Sequence, residues 1–366
     1  MDTMQHTIKK MVSFAGIGLH SGKPVRLEIY PGEINSGLRL VRTDLGQLEP
    51  TPAFMDRVVD TRLATTLSTE ADTNARWNCG AAPSSLSPVP LSESRGHADL
   101  YDHGEHGVRP DASVSTVEHV LAALAGLGID NAVLAVDGPE MPIMDGSSAP
   151  FVHVLQRVGR RRQQASRWLL RFNREISYSD GQGRQIRIEP HPGFQINCRI
   201  AYDHDRIGNQ SIEIDITPRR FREEIAGART FGFFHEVETL RRNGLALGGS
   251  LDNAVVINEQ GVMNSGGLRY ADEFVRHKVL DLVGDLALLG FPMLGRVVAE
   301  KSGHGQHLGL MQAVAAQPEA WDIVALEEGG EYRVLRDLAC GTRKVGGKVG
   351  DRILPYLLPP SLALSC

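Results

Sequence analysis

The segment "EFVRHKVLDLVGDLALLG" (273–290) constrains the fold more than any other part of the chain. Val275, Val279, Leu282, Val283 and Leu286 recur at three- and four-residue steps, so they share one face of a helix. His277, Asp281 and Asp285 step by four and form a polar stripe that drifts by about 40° per step. A second helix is read in "STVEHVLAAL" (115–124), with Val117, Val120, Leu121 and Leu124 on its apolar side. Its His119 points away from that side, toward Ala122, Ala123 and Gly126, small residues that let another helix come close. Helices with an aliphatic face and a second, histidine-bearing face must cover both. The expected fold class is therefore α+β: two similar α/β-sandwich halves with helices packed in a layer between two β-sheets.

At 366 residues the chain exceeds one ordinary core, which predicts two domains. The boundaries fall at 1–160 for an N-terminal α+β domain and 161–330 for a C-terminal one, with an extension over 331–366. "TIKKMVSF", "PVRLEIYP", "GLRLVRTD" and "RLATTLST" read as strands of the first domain. Residues 70–112 are rich in Ser, Pro, Gly and Ala without a period, and read as an insertion. "RWLLRFNREISYSD", "RQIRIEPHP", "FQINCRIAY", "NAVVINEQG" and "GRVVAEKSGHG" supply further strands, and "LGLMQAVAAQPEAW" a further helix. The stretch from Pro218 to Gly249 reads as mostly helical. "HVLAALAGLG" after His119 echoes "HKVLDLVGDLALLG" after His277, in keeping with two related halves.

A net charge of −5 argues against a nucleic-acid binder. The basic run "RVGRRRQQASR" (157–167) is expected to be a solvated helix end or a linker. No stretch has the roughly 20 apolar residues of a membrane helix, and no secretory h-region is visible. The four cysteines (Cys79, Cys198, Cys340 and Cys366) are scattered, which suits a reduced, cytoplasmic protein and not a thiolate metal site.

His277 and Asp281, four apart on a helix, can hold one cation, or they can form an ordinary surface pair. A metal would need a third ligand from elsewhere, and His119 is available. Glu118 beside it has two readings: a group for proton transfer, or the partner of Ser115 in a capping box. The zinc-peptidase strings HExxH and HxxEH are absent, since Val117, Leu121 and Ser115 occupy the positions they require. "YDHGEHG" (101–107) also has ligand-type residues, but inside the insertion, where a solvated loop is the simpler reading.

The strings "GIGLHSG" (16–22), "STVEHVLAALAGLGIDN" (115–131), "MPIMDGSSAPF" (141–151), "ARTFGF" (228–233), "GLALGGS" (244–250), "EFVRHKVLDLVGDL" (273–286) and "KSGH" (301–304) together resemble one family. It is the zinc-dependent UDP-3-O-acyl-N-acetylglucosamine deacetylases of lipid A biosynthesis. The resemblance implies Zn²⁺ held by His119, His277 and Asp281; His and carboxylate donors also accept Fe²⁺ or Co²⁺. It implies Glu118 as general base and His304, charged beside Asp285, as a catalytic histidine, with Lys278 and Thr230 as further catalytic positions. Thr230 would help to stabilise the oxyanion. The implied substrate is a UDP-glucosamine with an N-acetyl group and a 3-O-linked hydroxyacyl chain. By the same resemblance Leu19, Leu63, Tyr202, Val237, Leu240, Ala246 and Gly249 line an acyl channel, Phe231 joins the substrate site and His20 borders it. Lys278, Arg269 and Lys301 are candidates for the diphosphate. Ala64 stands where relatives often have Cys. The implied enzyme is a cytoplasmic monomer, too short to carry a fused dehydratase. The competing class is a catalytically silent UDP-sugar or acyl-chain binding protein that has kept the fold.

Overall fold

A computed structural model describes residues 2–70, 112–326 and 331–334. The strands Val12–Ile17, Pro24–Pro31, Ala132–Val136, Leu38–Arg42 and Thr51–Pro52 form a five-stranded sheet in that spatial order. It is antiparallel except where Leu38–Arg42 runs parallel to Ala132–Val136. An eight-stranded sheet comes from residues 168–334, with Met293–Glu300 at its centre beside Gln185–Glu189, Phe194–Ala201 and Trp168–Phe172. Alternation explains both sheets: in Pro24–Pro31, Val25, Leu27 and Ile29 are buried and the residues between them are more exposed.

Helices fill the space between the sheets. Glu118–Gly126 packs against Glu273–Leu286, Ala149–Val158 lies on the strand Val12–Ile17, and His304–Ala316 lies on strands of the larger sheet. One apolar cluster runs from Phe14 and Leu27 through Leu124 and Val279 to Val297. The α+β class and the helix layer are thus as the two-faced helices require. Glycines set the helix spacing. A Cβ on Gly284 would lie 2.0 Å from the carbonyl oxygen of Glu118, so the two helices touch there. Gly126, expected to face a helix, makes room for the buried ring of Phe221, which lies on the short helical segment Phe221–Ile225.

Several expectations change. The basic run is a strand over most of its length: Arg160–Ser166 pairs antiparallel with Met4–Ile8. Backbone pairing needs only extended conformation, so exposed arginines do not prevent it. "TIKKMVSF" divides into Met4–Ile8 and Val12–Ile17. Helix Ala149–Val158 was hidden by its Ser/Pro-rich start, where Pro150 occupies a first-turn position it tolerates. The stretch 218–249 is less helical than expected, because Phe231–Phe233 forms a strand beside Val255–Asn258. The sequence motif 101–107 lies outside the described residues, and so does most of the stretch after 330. Tyr332–Val334 adds an edge strand to the larger sheet.

Candidate metal centre and its proton-transfer network

The touching helices bring His119, His277 and Asp281 together. All three are buried, and one donor atom from each lies within 4.8 Å of the others. The two rings sit edge to face with centroids 5.1 Å apart. Asp281 Oδ1 is 3.3 Å from His277 Nε2 and 3.7 Å from His119 Nε2. His277 donates its Nδ1–H to the carbonyl of Ala228 at 3.1 Å, which leaves Nε2 as a lone pair facing the carboxylate. Burial, with His277 next, lowers the His119 ring to about 3, and burial also lowers His277, so both imidazoles are neutral. Burial works to raise Asp281, but His277 and Lys278 outweigh it and hold the carboxyl well below the usual range. Asp281 Oδ1 and His119 Nδ1 are buried without a hydrogen-bond partner. Two neutral imidazoles and an ionised carboxylate with an orphaned oxygen suit a divalent cation of the zinc type. Lys278 donates to the other oxygen, Oδ2, at 2.9 Å. Burial disfavours its charge, yet Asp281 outweighs that and keeps the ammonium protonated above the usual lysine range.

Asp285, one turn on, is the hub of a second group. Its Oδ2 accepts from Nδ1 of His304 and from Nδ1 of His307, both at 2.7 Å, and its Oδ1 accepts the Thr65 hydroxyl at 2.6 Å. Asp285, His304 and His307 could also be drawn as metal ligands. Their polar atoms satisfy one another, however, so the group is a hydrogen-bonded network. Burial would lower His304, but the charge and hydrogen bond of Asp285 prevail and raise it to about 9. Burial would raise Asp285, but His304 and His307 bring it down to about 2.

Glu118 lies between the two groups. One oxygen, Oε2, accepts the Thr65 N–H at 3.1 Å, and Oε1 stands 4.0 Å from His304 Nε2. The helix begins at Glu118, and Ser115 Oγ accepts from Thr66, so the capping-box reading is replaced by a tertiary one. Burial pushes Glu118 up to about 8, with His304 opposing and Asp285 adding to the rise.

The remaining predicted residues lie on several separate elements. Thr230 is held by backbone bonds to Gly146 and Val255, between Ala228, which anchors His277, and Phe231. The Phe231 ring lies 6.3 Å from the His277 ring and 5.7 Å from Tyr202, and Lys278 Nζ sits 5.7 Å over its face. Two remote loops meet at Leu19 and His20: the N–H groups of Gly248 and Leu247 donate to their carbonyls, and the Ala246 N–H reaches His20 Nδ1 at 3.4 Å. Gly249 lies beside the Leu19 side chain. Val237 and Leu240 are half-buried on Phe234–Arg242, a helix with no buried residue, and Leu63 is 48% exposed two residues before Thr65. Arg269 is committed to Asp145 at 2.8 Å and to the Gly227 carbonyl, while Lys301 is exposed beside the start of the His304 helix. Ala64 is buried. Cys198 is also buried, which pushes its thiol up to about 12.

Three supports were not foreseen. Buried Glu140 accepts from the N–H groups of His20 and Ser21 and from the Thr116 hydroxyl, fixing "GLHSG". Gly18 is required there, since a Cβ would come within 2.2 Å of that carboxylate. Glu273 at a helix start pairs with Arg229 at 2.8 Å and accepts its backbone N–H, which fixes the segment holding Ala228 and Thr230 just before the strand Phe231–Phe233. His307 completes the Asp285 network; its place in "GHGQH", one turn after His304, was the available signal.

A closed set of two imidazoles and a carboxylate, flanked by a buried glutamic acid and a histidine–aspartate pair, is the donor set of a hydrolytic metal centre on an α+β frame. A family model described as UDP-3-O-acyl N-acetylglycosamine deacetylase matches residues 5–76 and 102–316. The break in the match falls inside the stretch read as an insertion. A relative from Anaeromyxobacter sp. (strain Fw109-5), named UDP-3-O-acyl-N-acetylglucosamine deacetylase, is 42% identical over 92% of this chain and 97% of its own. Proteins of the same name from Shewanella sp. (strain W3-18-1) and Shewanella halifaxensis are 41% and 40% identical, over 90% and 92% of this chain and 95% and 98% of theirs. This chain belongs to the UDP-3-O-acyl-N-acetylglucosamine deacetylase family.

Proposed function

We propose that the chain is a Zn²⁺-dependent amidohydrolase that removes the N-acetyl group from a UDP-3-O-(3-hydroxyacyl)-N-acetylglucosamine, the committed step of lipid A biosynthesis. The observation that carries the reading is the orphaned Asp281 Oδ1 facing two neutral imidazoles in a buried site. His119, His277 and Asp281 would hold the cation, which would supply Lewis acidity and a water acidic enough to be a nucleophile near neutral pH.

The chain's own residues do the rest. In its ionised form Glu118 takes the proton of the attacking water at Oε1, since Oε2 is occupied by the Thr65 N–H, and its raised pKa makes it the stronger base. His304, kept charged by Asp285, presents Nε2 toward the same space, where it stabilises negative charge on the acetyl oxygen, and either His304 or the protonated Glu118 supplies a proton to the departing amine. Thr230 and Lys278 border the reacting carbonyl. The hydroxyacyl chain runs past the half-buried Leu19, Tyr202, Val237, Leu240, Ala246 and Gly249 and the exposed Leu63. Phe231 and His20 border the sugar, and Arg269 and Lys301 lie toward the diphosphate. The reading carries with it a cytoplasmic monomer.

The test is a deacetylation assay on 3-O-acyl substrates of several lengths, after chelation and stepwise return of Zn²⁺, Fe²⁺ or Co²⁺. Release of acetate that follows one equivalent of metal supports the reading. A metal-loaded chain that binds the nucleotide sugar without releasing acetate would leave the silent binding protein in its place.

A further inference from the structure

We infer that His307 is a positioning residue of the site: its Nδ1–H, donated to the same Asp285 oxygen that accepts from His304, locks that carboxylate so that the His304 ring presents Nε2 to Glu118. The inference deepens the deacetylase reading and rests on it for its rate effect. A carboxylate with one hydrogen-bonded histidine can turn about its own bond. Asp285 cannot, because Thr65 holds Oδ1 at 2.6 Å while His304 and His307 both hold Oδ2 at 2.7 Å. Three donors converge on one side chain whose residue is 1% exposed.

His307 is built for one protonation state. Its Nε2 lies 3.2 Å from Ser302 Oγ, so the hydroxyl donates there while Nδ1–H donates to Asp285. Burial lowers its pKa despite the adjacent carboxylate, in keeping with a neutral ring. Its backbone N–H donates to the Gly303 carbonyl at 3.0 Å, which fixes the turn carrying both histidines. The charged and titratable groups around this hub are Glu118 on the first helix, Asp281 on Asp285's own helix, and His304 and His307 on the last. A neutral donor adds no charge among them. It holds one lone pair of Oδ2 and leaves the other for His304.

The experiment compares full-length, metal-loaded wild type, His307→Leu and His307→Asn. Asn can place an N–H near the position of Nδ1, whereas Leu fills the space without a donor. His307→Leu is expected to lower kcat roughly 10–100-fold with KM little changed, the scale of a misaligned catalytic group. His307→Asn is expected to recover most of that loss. Independently of turnover, ¹⁵N-histidine spectra of wild type should show two imidazole N–H protons shifted by the carboxylate. In His307→Leu one disappears and that of His304 moves. Should His307→Leu not fold, Ser302→Ala, which frees the opposite ring nitrogen, is expected to move the His304 resonance in the same direction. A folded His307→Leu with wild-type kcat and an unmoved His304 signal overturns the inference. So does equal impairment of His307→Leu and His307→Asn, which would mean shape alone matters, and so does an unmoved signal in Ser302→Ala. Wild type that releases no acetate overturns the deacetylase reading instead, while the spectra still decide the geometry.

Discussion

Gly284 lies against the backbone of Glu118, so close that a methyl group on its Cα would fall 2.0 Å from the Glu118 carbonyl oxygen. This approach sets the distance between the helix carrying Glu118 and His119 and the helix carrying His277 and Asp281. Gly284→Ala should push the helices apart. The intrinsic gain of about 1 kcal/mol from replacing a helical glycine is outweighed by overpacking of about 1–3 kcal/mol and by loss of alignment. The expected result is a lower melting temperature together with less than one bound metal per chain, read by thermal melting and elemental analysis.

Asp281 and Asp285 occupy successive turns of one helix yet have different partners. Asp281→Asn should abolish stoichiometric metal binding and cut kcat/KM by at least about a hundredfold, the scale on which a lost proton-transfer step is felt. Asp285→Asn should keep the metal and still lose rate on that scale. Equal metal content in both variants would contradict the assignment of Asp281 as the ligand.

The charge on His304 gives a pH signature. Its folded pKa, about 9, is above the ordinary 6.5, so the pairing stabilises the fold fully below 6.5 and is lost as pH rises through about 9. Asp285, held near 2, has the opposite sign: its contribution is present above its ordinary 3.8 and is lost as pH falls through about 2. The alkaline limb of kcat/KM should therefore lie near 9 in wild type and move acidward in Asp285→Asn, toward the ordinary histidine value. A limb that stays in place would mean that another group sets it.

Glu140 supports the "GLHSG" loop through the N–H groups of His20 and Ser21 and also accepts from the Thr116 hydroxyl. Glu140→Ala leaves those donors unpaired, at about 1–3 kcal/mol each where they stay buried. In the proposed reading the loop carries Leu19 on the acyl path and His20 beside the sugar, neither of them a metal ligand. KM for the acylated substrate should rise roughly tenfold or more, with metal content unchanged, as read by steady-state kinetics and elemental analysis.

Leu247 and Leu63 are exposed large apolar residues, 51% and 48%, on loops around the site. If they line the acyl path, Leu247→Ala and Leu63→Ala should each weaken long-chain substrates by about 1–2 kcal/mol, at roughly 0.8 kcal/mol for each methylene left uncovered. A substrate with a short acyl chain should be affected far less. Equal effects at all chain lengths would remove these residues from the path.

Local pattern determined a good deal about this protein. The period-four placement of His277, Asp281 and Asp285, the histidine beside Glu118, and the alternation in "PVRLEIYP" depend on neighbours within about four residues, and each element formed as those neighbours require. The motif strings were enough to indicate the family. Tertiary structure decided what the groups do. Thr65 claims one oxygen of Glu118 from 53 residues away, which excludes the capping role, and reaches Asp285 across 220 residues. The arginine run became a strand because Met4–Ile8 offered it a backbone partner. His307 joined the site only because its helix lies against Asp285. Periodicity records the geometry of one element. The protonation and partners of a buried group depend on which distant segments exclude water from it, and chain closure over such distances leaves no trace in the local order of residues.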